Sequence, residues 1–86
     1  MDWNIVELVI VGCRRAASKN RFRQFDPQGG EIVWEVYRDI SRAVRNNPDH
    51  YRSAEHIVRT AELQAGRELC KLLKARRPRL EAAGEE

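Results

Sequence analysis

The clearest alternation of apolar and polar positions runs from Pro48 to about Arg77. Wound at about 100° per residue, this stretch puts Tyr51, Ala54, Ile57, Val58, Ala61, Ala65, Leu69 and Leu72 on one arc. Arg52, His56, Arg59, Leu63, Arg67, Cys70, Lys74 and Arg77 fall on the opposite arc, stepping by three or four residues. The first arc predicts a stripe that faces a core, and the second a continuous basic strip with apolar interruptions. Asn47 as N-cap, Pro48 in the first helical position and Asp49 at the positive end of the dipole predict the helix start, and Pro78 predicts its end. Ala61, Ala65 and Gly66 are small enough to let another helix approach closely.

Upstream, Ile32, Val33, Val36, Tyr37, Ile40, Ala43 and Val44 share one arc, with Trp34, Arg38, Ser41, Arg42 and Arg45 outside it. This predicts a second helix over about 30–46, with Asp26 and Pro27 as candidates for its N-cap and first position. Its short link to the long helix predicts a hairpin or a sharply bent pair. In the first segment Ile5, Val6, Leu8, Val9, Ile10 and Val11 cover nearly the whole circumference of a helix over about 3–19. Asp2 or Asn4 is the candidate cap, and Asn4 with Glu7 resembles a capping box. The competing reading is a β-strand over Ile5–Val11, because five of its seven residues are β-branched and Gly12 offers a stop. Pro27 with Gly29 and Gly30 marks a turn between the first two helices.

Together these elements predict an all-α fold: a small three-helix bundle with a long C-terminal helix, in one domain over 1–78 followed by a frayed tail over 79–86. At 86 residues, only about 60% of the unfolded surface is removed from water on folding, so self-association, as a dimer, is expected to help. The first helix and the end of the third are also more apolar than one small bundle needs. Hydrophobic residues at 42% and charged residues at 34% point to a globular chain, and no apolar run approaches the ~20 residues that cross a bilayer. Without a recognisable export signal, a soluble cytoplasmic protein with no membrane partner is expected. Cys13 and Cys70 then read as free thiols, without the neighbouring Cys or His that a zinc site needs.

The net charge of +3 conceals a segregation. Residues 14–23 and residues 71–79 each carry five cations and no acid, which leaves the remainder at −7. Such clustering favours an acidic partner. Three surfaces are candidates. Arg14, Arg15, Lys19, Arg21, Phe22 and Arg23, with Phe25, interleave cations and aromatics in a way suited to phosphates and stacked bases; the alternative is that the two phenylalanines plug the end of the bundle. Trp34 with Arg38 and Arg45 offers a residue pairing common in interface anchors, unless Trp34 packs beneath the 20–30 loop. The strip Arg52, Arg59, Leu63, Arg67, Cys70, Lys74 and Arg77 is the third. Local pairs such as Glu55–Arg59 and Glu68–Lys71 account for its charges as a solvated face, but Leu63 and Cys70, with Gly66 and Leu73 alongside, form an apolar patch that such a face does not need.

Catalytic signals are sparse. No Gly-rich phosphate loop, serine elbow or carboxylate pair is present, and no cofactor or metal is implied. The run Arg45–His50, RNNPDH, resembles the Arg, polar, three residues, His pattern of HEPN-type ribonucleases; that resemblance implies Arg45 and His50 acting at a helical dimer interface. The leading expectation is a non-enzymatic binding protein that meets another protein or a nucleoprotein complex through Arg-rich helical surfaces. As a regulator or inhibitor, it includes the phage-type class that blocks host machinery such as a CRISPR effector. Direct DNA or RNA binding through the basic runs 14–23 and 71–79 is the alternative, and a HEPN-like ribonuclease the second.

Overall fold

The computed structural model describes residues 4–85, with side chains as far as Ala75. Three helices account for the fold: α1 over Ile5–Ala17, α2 over Val33–Asn46 and α3 over Ala54–Glu85. A single 3₁₀ turn, Asn20–Phe22, follows α1. No strand occurs among the described residues. The Ile5–Val11 run is helical because a helix pairs its own backbone groups, whereas a strand here has no neighbour to pair with. Asn4 caps it, its Oδ1 accepting from the Glu7 N–H at 3.3 Å.

Two helix starts differ from expectation, for the same reason. Asp26 does not cap α2. Its side chain instead accepts from the Gln28 N–H at 3.0 Å, its carbonyl from Gly29 at 2.8 Å, and its own N–H donates to Glu31 Oε1 at 2.8 Å. Gly29, at φ +74°, completes that turn in the left-handed region, and α2 begins only at Val33. Likewise Asn47, Pro48 and Asp49 build a turn rather than a first helical turn: the Asn47 carbonyl accepts from His50 N–H at 3.0 Å. Ser53 caps α3 in their place, its Oγ accepting from the His56 N–H at 3.1 Å. Asx and proline residues serve turns as readily as caps, and local sequence does not choose between the two. Pro78 does not end α3 either, since the backbone stays helical to Glu85. Proline's fixed φ is compatible with a helix, and an interior proline costs about 3 kcal/mol through a lost backbone bond and crowding of the carbonyl four residues earlier. Asp2, and the side chains of Arg77 and of the 79–86 tail, lie outside the described residues.

The predicted core arcs of α2 and α3 hold, whereas the residues that α1 buries include only Val9 of its predicted apolar run. Ile57, Val58, Ala61, Ala65 and Leu69 of α3 are buried, as are Val36 and Ile40 of α2 and Val9, Cys13, Ala16 and Ala17 of α1. Tyr51 is buried too, from the turn before α3. Phe22 and Phe25, both buried with ring centroids 6.3 Å apart, plug the bundle beside Ile32, each contributing roughly 1.5–3 kcal/mol through apolar burial. α1 is not enclosed as its apolar circumference suggests. One face packs on α3 and an edge on α2, while Val6 stays 46% exposed.

The α1–α3 contact turns on a glycine. A Cβ on Gly12 would lie 2.6 Å from Ala61 Cβ, 2.7 Å from the Val58 carbonyl oxygen and 2.9 Å from the Glu62 nitrogen, with backbone on two of three sides. The next residue, Cys13, is held from its other side: a Cβ on Gly29 would come within 2.8 Å of Cys13 Cβ. Gly66, in contrast, has nothing within 4 Å of a Cβ position, so it marks no close helix approach.

These contacts fix the sign of two glycine substitutions. Gly12→Leu is expected to cost about 1–3 kcal/mol by overpacking, while Gly66→Ala gains about 0.5–1 kcal/mol from helix propensity; thermal melts of the two variants check both. Burial also pushes the Cys13 thiol from 9.0 up to about 11. The unfolded chain therefore releases this proton at lower pH than the folded one, and stability present below about pH 9 falls as pH rises toward 11. Denaturant midpoints measured across that range are expected to fall less steeply in Cys13→Ala than in the parent.

Candidate functional site

The 3₁₀ turn and α3 together form a groove that the sequence does not place in one location. Phe22 is the reason. Its buried ring anchors the turn, and the Arg21 guanidinium lies 4.8 Å over that ring, so Lys19 and Arg21 are held beside α3. There they line a shallow groove with Glu62, Leu63, Gly66, Arg67, Cys70, Lys71 and Lys74. Part of the 14–23 run thus joins the basic strip of the long helix.

The groove has an apolar floor and a charged rim. Leu63 is 67% exposed, Gly66 leaves a gap beside it, and Cys70 is half-buried against the core. Lys19 approaches Glu62 at 3.9 Å and Lys71 approaches Glu68 at 3.2 Å. Exposed pairs of this kind contribute only about 0–1 kcal/mol each. Arg21, Arg67 and Lys74 make no ion pair among the described residues, leaving three uncompensated cations around the floor. Leu73 packs against the core cluster, so the exposed apolar patch reduces chiefly to Leu63.

The other members of the predicted strip are dispersed. Arg52 precedes α3, and its Nε donates to the Asp49 carbonyl at 2.8 Å. His56 packs edge-on with His50, ring centroids 5.0 Å apart, and with Tyr51 at 5.2 Å. Arg59 borders a neighbouring depression with Ser53, His56, Thr60 and Leu63. Glu55 pairs across helices with Arg15 at 3.2 Å rather than along α3 with Arg59, while the Glu68–Lys71 pair forms as expected. Arg14 and Arg23 are exposed and make no ion pair among the described residues.

A second surface surrounds Trp34, which is 76% exposed. The indole meets Tyr37 edge-on at 6.0 Å and does not pack beneath the 20–30 loop. Arg38 reaches Glu35 at 3.7 Å, while Arg45 makes no ion pair among the described residues. These residues line a depression with Ile5, Ser41 and Val44. Val6, Val9, Ile10 and Val33 line its continuation.

Phe22 and Phe25 present no ring face to solvent, so the interleaved cations of the 14–23 run have no stacking platform beside them. The Arg45–His50 pattern is divided between elements: Arg45 lies in the last turn of α2 and His50 in the turn that follows. The His50 ring sits against Tyr51 at 4.9 Å. Among the described residues, no group of three or more His, Cys, Asp or Glu is placed to hold a metal ion. No helix among them is long and apolar enough to cross a membrane. Comparison with protein-family models, with curated proteins and with solved structures finds no match to the chain.

Proposed function

We propose that the chain is a non-enzymatic binding protein, a regulator or inhibitor that acts by docking Arg-rich helical surfaces on an acidic protein or nucleoprotein surface. The observation that carries this reading is the α3 groove, where Arg21, Arg67 and Lys74 surround the exposed Leu63 without ion-pair partners among the described residues. An apolar contact ringed by cations suits a protein surface that presents a small apolar feature among carboxylates. Within this class, the reading extends to a phage-type inhibitor that occupies an acidic or nucleic-acid-binding site on host machinery such as a CRISPR effector. Small size and chemistry confined to the surface support that extension.

Direct nucleic-acid binding fits the groove less well. Phe22 and Phe25, the aromatics of the basic run that would stack on bases, are in the core. Self-association through the α3 patch has narrower support among the described residues, where its exposed apolar part is chiefly Leu63, against the roughly 800 Å² per partner of a standard interface. A monomer that binds a heterologous partner is the expected state, and light scattering reports it.

Affinity capture from a native host, with and without nuclease, tests the reading. The expected result is a partner protein that remains bound after nuclease treatment and is lost with Arg67→Glu combined with Lys74→Glu. Tight gel-shift binding of naked DNA or RNA by the purified chain, abolished by the same pair of substitutions, overturns it.

A further inference from the structure

The groove between α1 and α2 is a second, chemically different surface, and the excess apolar character of α1 belongs to it. We infer that this groove receives an amphipathic helix of a partner protein, apolar where it meets Trp34 and acidic along the edge that meets Arg42 and Arg45. The inference rests on the reading of the chain as a binding protein, but not on the α3 groove.

The groove has the form of a helix seat. Ile5 of α1 lines it with Val44 and Ser41 of α2, whereas Val6 and Ile10 line it with Val33, Trp34 and Tyr37. The two helices therefore run antiparallel along it. Between Trp34 and Arg45 it extends roughly 16 Å at about 1.5 Å per residue, the length of three helical turns. Its floor is apolar at both ends, and Trp34 stands at its edge as a large, mostly exposed anchor. A helix laid between α1 and α2 would cover Val6, Ile10 and Trp34 together, which no segment among the described residues does. Helix-in-groove recognition uses this arrangement, with apolar anchors spaced by three and four residues.

Charge selects the occupant. Arg38 and Arg45 line the α2 edge of the groove, with the exposed Arg42 just outside it; of the acids beside them, Glu35 is engaged with Arg38 and Asp39 accepts from Gln64 of α3. Arg42 and Arg45 make no ion pair among the described residues. On the α1 side, Glu7 and Arg14 are both exposed. A second copy docking through the same face would bring Arg14, Arg38, Arg42 and Arg45 of each chain together, against the acids Glu7, Glu35 and Asp39. An acidic flank on a partner helix meets no such opposition. A nucleic acid would place its phosphates well but would leave Val6, Ile10 and Val33 uncovered.

The test is a heteronuclear NMR titration of the full chain with two synthetic helical peptides of roughly 14 residues. Both carry the same leucine stripe, one flanked by glutamates and the other by lysines. The acidic peptide is expected to shift the resonances of residues 5–10 and 33–45 and to bind at least about tenfold more tightly than the basic one. Trp34→Ala is expected to weaken that binding about 30-fold, as an interface anchor does, while its thermal melt matches the parent because the side chain is exposed. Arg42→Glu with Arg45→Glu is expected to reverse the preference toward the lysine peptide. The Arg67→Glu, Lys74→Glu pair, which disables the α3 groove, leaves the titration unchanged, so the two surfaces fail or succeed separately. The inference is overturned by no shift at these residues with either peptide, by equal binding of both, or by a dimer that Trp34→Ala dissociates, which assigns the groove to a second copy. Tighter binding of single-stranded DNA at the same resonances overturns it as well.

Discussion

The close approach of α1 to α3 at Gly12 and Ala61 is the constraint on which the other features of this fold depend. With a Cβ position 2.6 Å from Ala61 and under 3 Å from two backbone atoms of α3, the crossing accepts no side chain larger than hydrogen. The surroundings cannot yield cheaply, because two of the three obstacles are backbone. The neighbouring Cys13 is held from its other side by Gly29, so the middle of α1 lies clamped between the long helix and the 26–30 turn. Once that clamp is set, Val9, Cys13, Ala16 and Ala17 face inward, Ile5 and Leu8 pack partly against the core, and Val6 and Val11 are turned outward.

That rotation has consequences for function. It directs Val6 and Ile10 to one flank, where α2 meets them with Val33, Trp34 and Tyr37. It also brings the end of α1 to the side of α3, where the buried Phe22 fixes the 3₁₀ turn and sets Lys19 and Arg21 beside Leu63 and Gly66. Two grooves result, one with an aromatic anchor and an arginine edge, the other with a smaller apolar floor and a fuller cationic rim. Both combine apolar contact with unneutralised positive charge. In chemical terms this is the basis for reading the chain as something that docks on acidic macromolecules rather than something that transforms a substrate.

The fold was largely legible in the amino-acid sequence, since the stretches of α2 and α3 carry a periodicity that predicts their buried faces, whereas the first stretch, apolar nearly all round, leaves its buried side open. Helix starts were less so. Asp26–Pro27 and Asn47–Pro48 each satisfy the chemistry of a cap and of a turn, and the choice was made by Glu31, Gly29 and Ser53, whose roles emerge only with the three-dimensional arrangement. The surfaces were legible in composition but not in assembly. Trp34, Leu63 and the two basic runs stood out, yet the joining of Lys19 and Arg21 to the α3 strip depends on where Phe22 is buried. The surplus of apolar residues in α1 was also visible; as sequence it suggests self-association, and as structure it is one wall of the Trp34 groove. Leu73 and Cys70 changed meaning in the opposite direction, since both rest on the chain's own core.

On this reading the α3 groove meets a protein. That contact is tested most directly by replacing Leu63 with a photo-crosslinking phenylalanine derivative, irradiating in a native host and identifying the adduct. Leu63 is exposed and lies at the centre of the uncompensated cations, so the substitution leaves the fold intact and samples the contact itself. A covalent adduct with a protein is expected, unchanged by nuclease and lost with Arg67→Glu and Lys74→Glu. An adduct consisting of DNA or RNA would contradict it.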